Sequence, residues 1–226
     1  MAVIMLFPLV LTVSNSFMSE AEISSSYDMV DEGGGYAVMK LIPELVVLSQ
    51  YYDVLVKKSQ FLYMFWNSVI IVLPIVAGQT IIAGMAAYAF AKLRFKGRDQ
   101  LFFLYLVVML MPFQVTLVPN YLVAEKLGLI NSYLSIILPG IFNTFGVFLL
   151  KQYMEQIPAS YIEAAKIDGA GPFQIFFSII LPMCKKGMTA MFILLFIDNW
   201  NMVEQPLIFL QSAARETSEK WHKIAR

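Results

Sequence analysis

Uncharged stretches divide this chain. Met1–Ser19 carries no charged residue, Ser59–Ala91 runs 33 residues without one, and Leu101–Ala124 and Leu127–Leu150 are charge-free over 24 residues each. A fifth apolar stretch, Gly187–Leu210, is interrupted only by Asp198 and Glu204. A helix needs about 20 mostly apolar residues to cross the hydrocarbon core of a bilayer. The pattern therefore predicts an all-α, polytopic membrane helical bundle over residues 1–210, with spans at about 1–18, 60–91, 101–119, 133–151 and 187–210. Only Glu125 and Lys126 separate the third and fourth runs, so the polar turn is expected to be wider, around Asn120–Ser132, with Gly128 and Asn131 as turn residues. Residues 20–58 are the least hydrophobic stretch before a polar C-terminal tail at 211–226; Ser24–Ser26 and Gly33–Gly35 read as flexible punctuation there, and Leu41–Val56 as a short amphipathic surface helix.

Composition agrees. Hydrophobic residues make up 59% of the chain and charged ones 14%, against about 25% charged in soluble domains, which leaves too few charges for a solvated skin. The formal net charge is zero, so no basic surface argues for nucleic acid. The single cysteine, Cys184, allows no internal disulfide and reads as a small apolar filler; the single histidine, His222, sits in the polar tail. The first run lacks a positive flank and a small-residue cleavage site, so it reads as a first span rather than a signal peptide.

Lysine and arginine near span ends orient the bundle. Lys92, Arg94, Lys96 and Arg98 follow the second run; Lys151, Lys166, Lys185 and Lys186 follow the fourth; segment 20–58 carries seven acids and three lysines. The loops after spans two and four are therefore expected in the cytoplasm. Five spans would then leave the tail outside, although it holds Arg215, Lys220, Lys223 and Arg226; a missing sixth span would remove that conflict.

The cytoplasmic loop at 152–186 holds the strongest local signals. Ser160-Tyr161-Ile162-Glu163 reads as a capping box, with Ser160 at the N-cap. Gly169 suits a left-handed helix stop, Gly171-Pro172 starts a second helix, and Pro182 ends or kinks it. A helix of two or three turns is not stable alone in water, so it needs a partner surface, and Ala164 and Ala165 would let another backbone come close. From spacing alone an ordinary capped loop helix fits equally well.

The run Glu163-Ala164-Ala165, Asp168-Gly169-Ala170 and Ile180-Leu181-Pro182 resembles the EAA loop of ABC importer permeases. Many members have proline where this chain has Lys186. Tyr88–Lys92 with Phe95, Gly97 and Arg98, then Pro119–Tyr121, Leu127–Leu129 and Asn131, and finally Trp200-Asn201 and Gln205–Leu207, resemble the neighbouring helices of that family. The pattern is similar to the smaller of two paired permeases in maltose-type, carbohydrate-uptake importers. The resemblance implies the type I permease fold, normally of six spans. It implies a multi-pass subunit of a bacterial or archaeal cell membrane, working with a second homologous permease, two cytoplasmic ATPase subunits and an extracytoplasmic sugar-binding protein. Glu163, Ala164, Ala165, Asp168 and Gly169 would then couple to the ATPase. No Gly-x-x-x-x-Gly-Lys-Ser/Thr loop, nucleophile–base pair or metal-ligand spacing is present, so the chain is expected to be no enzyme, to hold no cofactor and to leave ATP to a partner. A secondary transporter or channel without an ATPase, or a truncated non-transporting remnant, are the competing readings.

Polar groups at membrane depth mark either interhelical bonds or a solute path. Asn67, Gln79 and Gln114 are of this kind; Asp198, Asn199, Asn201, Glu204 and Gln205 form a denser set. Eleven residues, Gly187–Ile197, precede Asp198 in its run, which sets it ~16 Å along a helix, near the bilayer middle. Asn67, Asp198, Asn199 and Asn201 are the candidate path residues. Ala83, Ala87 and Ala91, with Gly78 and Gly84 nearby, suit close helix packing, inside the chain or against a partner permease. Pro74 and Pro112 are expected as tolerated kinks within spans.

Overall fold

The structure, a computed structural model, describes residues 2–31, 40–57 and 60–210. Gly33–Gly35, His222 and the tail expected at 211–226 lie outside the described residues. Among the described residues all regular structure is helical, and the chain divides into two compact units, Met1–Asn67 and Ser68–Arg226.

The first unit opens with α1 (Ala2–Asn15) and α2 (Glu20–Asp31), followed by the short α3 (Ser49–Tyr52) and a π-helical turn at Asp53–Lys57. The Glu22 carboxylate organises it: it is buried, accepts the Glu44 N–H at 3.0 Å and lies 3.9 Å from Lys40 Nζ. Two expectations fail here. Ser24–Ser26 is not punctuation but part of α2, where the hydroxyls of Ser25 and Ser26 bond back to the Glu22 carbonyl. The amphipathic helix expected at Leu41–Val56 shrinks to the stretch from Ser49, because residues 41–48 bond elsewhere: the Leu41 carbonyl accepts from Ser14 Oγ and the Val47 N–H donates to the Phe17 carbonyl at 2.9 Å. Ala2–Asn15 has 14 residues, about 21 Å of helix, short of the ~30 Å hydrocarbon core.

The long helix α4 (Gln60–Lys92) continues into the second unit, where it is followed by α5 (Arg98–Met109), α6 (Phe113–Lys126), α7 (Leu134–Gly140), α8 (Thr144–Glu155) and α9 (Ala159–Ile167). Next come α10 (Pro172–Ile175), a π-helical turn (Phe176–Ile180), α11 (Leu181–Met183), α12 (Lys185–Trp200) and α13 (Glu204–Phe209). Gln60–Lys92 and Leu134–Glu155 are long and apolar enough to cross a membrane; the α5–α6 and α10–α12 pairs also qualify if each is counted as one bent span.

The third run is thus not a straight span. α5 and α6 meet at 99°, because Pro112 has no N–H to offer the preceding turn and biases its neighbour away from helix. Pro112 sits at the N-cap of α6 with ψ 138, so it breaks rather than kinks. Pro74, by contrast, lies inside the unbroken α4. The fifth run also breaks, at 201–203. Pro206 has no N–H to bond back toward Met202 and is accommodated in the first turn of the restarted helix. The turn between the third and fourth runs is narrower than expected: α6 continues through Asn120 to Lys126. It closes on Gly128 (φ +67), with the Leu129 N–H on the Ala124 carbonyl and the Gly128 N–H on the Glu125 carbonyl, both at 2.9 Å.

Two apolar clusters hold the second unit. The larger joins Ala83 and Ala87 of α4, Val147, Leu150 and Met154 of α8, Met191 and Leu195 of α12, and the buried residues of the 157–184 segment, Cys184 among them. The smaller joins Ile71 and Ile75 to Ala124, Ile136 and Phe209. The small-residue face of α4 is therefore used, at Ala83 and Ala87, for packing inside the chain.

Gly78 illustrates how tight this packing is: a Cβ there would stand 2.6 Å from Ile141 Cγ2 and 2.9 Å from its Cβ. Gly78→Ala should destabilise the protein by about 1–3 kcal/mol through overpacking. Gly171→Ala, where a Cβ meets nothing within 4 Å, should fall within about 0.5 kcal/mol of the parent. Apparent melting temperatures of the two variants in detergent check the pair.

Candidate functional sites: the loop helix and a polar cavity

The loop between α8 and α10 is built around α9. Pro158 stands at its N-cap with φ −58 and ψ 139, and no side chain caps it. The expected capping box is therefore not formed: the extended conformation of Pro158 starts the helix two residues early, and Ser160 falls inside the first turn. The C-terminal expectation holds. Gly169 has φ +82, a region that costs other residues about 1–2 kcal/mol. Its N–H bonds the Lys166 carbonyl at 3.1 Å, and the Ala170 N–H bonds the Ala165 carbonyl at 2.9 Å, the paired bonds that close a left-handed helix end. Gly171 then caps α10, with Pro172 at its first position. The second helix passes through a π-helical turn and ends at Met183, one residue after Pro182, and α12 leaves at 79°, in line with Pro182 ending or kinking it.

α9 has two faces. Ile162 and Ala165, three residues apart, are buried in the larger cluster. Glu163, Ala164, Asp168 and Gly169 are exposed, and Ile167 is 86% exposed. Ala165 therefore packs against its own chain and is not presented outward beside Ala164. Ile167, which the sequence reading passed over, is the large apolar group of the outer face; its position four residues after Glu163 is the signal that places it there. At the base of the loop, Lys92 Nζ at the end of α4 donates to the Ile157 carbonyl at 2.7 Å and approaches the Glu155 carbonyl at 3.5 Å. Lys151 bonds Glu155 at 2.6 Å and lies 4.2 Å from the Phe102 ring centroid of α5.

At the other polar focus, helix breaks open a cavity of about 240 Å³ between α4, α6, α7, α12 and α13. Gln79 Nε2 donates to the carbonyl of Gly140, the last residue of α7, at 2.8 Å, and Gln79 Oε1 accepts from Asn199 Nδ2 at 3.1 Å. Asn199 also bonds the Leu195 carbonyl at 2.7 Å. Asn143 Oδ1 caps α8 by accepting the Gly146 N–H at 2.7 Å. Asp198 lines the same cavity, and among the described residues its carboxylate has no hydrogen bond or ion pair.

Of the four path residues read from sequence, Asp198 and Asn199 share this cavity. Asn201 does not line it; its amide is turned back on the Ile197 carbonyl at 2.9 Å. Asn67 belongs to the first unit. Gln79 makes the interhelical bonds expected of it and also lines the cavity, whereas Gln114 is exposed. Thr116, Asn120, Ser135 and Asn143 are lining residues that the sequence reading missed; their polarity within charge-free runs was the available signal.

Residues 62–213 match the family of binding-protein-dependent transport system inner membrane components. The chain belongs to that family. Both the loop helix and the cavity lie within the matched residues. This inner membrane component is 34% identical over 154 residues to the sn-glycerol-3-phosphate transport system permease protein UgpE of Brucella abortus, an alignment covering 68% of this chain and 55% of that protein. It is 34% identical over 170 residues to the arabinooligosaccharides transport system permease protein AraQ of Halalkalibacterium halodurans, covering 75% and 61%. It is likewise 34% identical over 154 residues to the lactose transport system permease protein LacG of Rhizobium radiobacter, covering 68% and 56%. The chain thus spans under two thirds of the length of these relatives. Among solved structures it resembles a chain of a bacterial ABC transporter involved in the import of the acidic polysaccharide alginate, with TM-score 0.72, 27% identity, and coverage of 96% of this chain and 75% of that one.

Gln79 ties three elements of the inner membrane component, so Gln79→Leu leaves the Gly140 carbonyl and the Asn199 amide short of a partner. An unsatisfied buried polar group costs about 1–3 kcal/mol. A lower apparent melting temperature than for the parent is the expected result of a thermal-shift comparison.

Proposed function

We propose that this chain is a transmembrane permease subunit of an ATP-driven importer for sugars or oligosaccharides, and that α9 is its coupling element. The observation that carries this reading is the split of α9 into a buried face, Ile162 and Ala165, and an exposed one, Glu163, Ala164, Ile167 and Asp168, on a helix closed by Gly169. An 86% exposed isoleucine on a two-turn helix is costly in water and suits a partner's cleft. In this reading the partner is a cytoplasmic ATPase, which binds and hydrolyses the ATP. Two ATPase subunits, a second homologous permease and an extracytoplasmic sugar-binding protein complete the complex, in a multi-pass arrangement in a bacterial or archaeal cell membrane. The permease names of the relatives, and the import role of the similar solved transporter, support the assignment. The cavity at Asp198 and Asn199 is the solute path within this subunit.

Two substitutions test the coupling role. Ile167→Asp removes the apolar contact without touching the chain's own core. Gly169→Val forces a β-branched residue to φ +82. Both variants should insert into membranes at parental levels, yet lose ATP-dependent uptake in vesicles and co-purification of the ATPase by tenfold or more. Parental uptake by both would overturn the proposal.

A further inference from the structure

The stretch between α8 and α9 is held from outside itself. Only Gln156, Ile157 and Pro158 separate the two helices. The last carbonyls of a helix find no partner within it, and Pro158 has no N–H and disfavours helical geometry at Ile157. One side chain from a distant part of the sequence answers both. The ammonium of Lys92, the last residue of α4, bonds the Ile157 carbonyl and stands beside the Glu155 carbonyl. The Glu155 carboxylate is engaged by Lys151 at 2.6 Å, which leaves Lys92 to the backbone. We propose that Lys92 is the positioning residue of the loop: by capping the end of α8 from α4, it makes α9 and α4 move as one body when a partner acts on the exposed face of α9. The inference rests on the coupling role given to α9 above.

A lysine that only marked the cytoplasmic face would carry its ammonium out into water. Lys92 is instead partly buried and turned onto the backbone. A cation suits that place. The C-terminal end of a helix is the negative end of its dipole, and a bond from a charged donor is stronger than one from a neutral group. The position of α9 depends on such a bond. With nine residues it is too short to hold its own helical form in water, so its place is set by what it rests on. Ile162 and Ala165 keep it on the larger cluster, but apolar contact is non-directional and resists lifting more than sliding. The Ile157 side chain is buried in the same cluster. The bond from Lys92 to the Ile157 carbonyl adds a directional restraint and fixes the register of the incoming chain. The outer face of α9 takes no part in it, so loss of Lys92 leaves the surface for the ATPase unchanged while freeing α9 to shift against α4.

The test uses the assembled complex, this chain with its partner permease and ATPase, in nanodiscs. Nitroxide labels are placed on α9 through Ser160→Cys and on α4 through Met85→Cys, both exposed positions, in a Cys184→Ala background with partner chains lacking accessible cysteines. The distance between the labels is measured by pulsed electron resonance without nucleotide and after trapping with ATP and vanadate. With Lys92 present the distance distribution should be narrow and the same in both states. Lys92→Met should leave co-purification of the ATPase and its basal hydrolysis within twofold of the parent, yet broaden the distribution at least twofold on trapping. Lys92→Arg, which keeps the charge and the donors, should restore the narrow distribution. Gly78→Ala loosens the bundle away from the loop and should leave it narrow too, an outcome that separates positioning from general destabilisation. Should Lys92→Met fail to assemble, Lys92→Gln takes its place with the same expectation. A narrow distribution in the Lys92 variant, equal broadening in Gly78→Ala, a distance that changes on trapping in the parent, or loss of the ATPase from the Lys92 variant each overturns the inference. Failure of both Lys92→Met and Lys92→Gln to assemble while Lys92→Arg assembles also overturns it, because Lys92 then serves folding alone. A parent chain that recruits no ATPase defeats the coupling reading instead.

Discussion

Backbone polar groups have no water to turn to inside the hydrocarbon core of a bilayer, so the free groups at a helix break there need partners within the protein. This constraint organises the second unit. α7 ends at Gly140, and its last carbonyl is taken by Gln79 from the middle of α4. α8 starts at Thr144, and its first free N–H groups are met in part by Asn143. Gln79 in turn holds Asn199 near the end of α12. The polar side chains that satisfy the broken backbone are thus the same ones that line the cavity. A polar site inside the bundle is a by-product of breaking helices and satisfying the broken ends, and Asp198 is the group left over after those obligations are met.

The loop segment shows how far local signals can be read. Gly169 and Gly171-Pro172 were legible because each residue type answers a single backbone requirement: a left-handed φ of +82 in one case, a helix start without an N–H in the other. Ser160 was not, because a capping residue is identified by the conformation of its own backbone, and Pro158 had already taken the extended position. The outward order of Glu163, Ala164 and Asp168 followed from the motif. The inward turn of Ala165 depends on what α9 packs against, and no spacing within nine residues reveals that.

The larger architecture was legible in class but not in continuity. Charge-free runs located the apolar mass, yet a run says nothing about whether one helix or two occupies it. Pro112 and Pro74 look alike in sequence, and one ends a helix while the other rides inside α4. The difference lies in the surroundings. At Asn201 the same ambiguity concerns a side chain, which bonds its own helix at Ile197 rather than lining the cavity beside Asp198 and Asn199.

The bond from Lys92 to the Ile157 carbonyl has a mechanical meaning. It fastens the foot of the longest helix to the residue just before Pro158, where α9 begins. Any load applied to the outer face of α9 is therefore shared at once with α4, without waiting for the intervening chain to tighten. With Ile162 and Ala165 sunk in the same apolar cluster as Ala83 and Ala87, the loop is tied to the bundle at two anchor points, so a thrust on it is passed through packed atoms instead of being lost as slack in a tether.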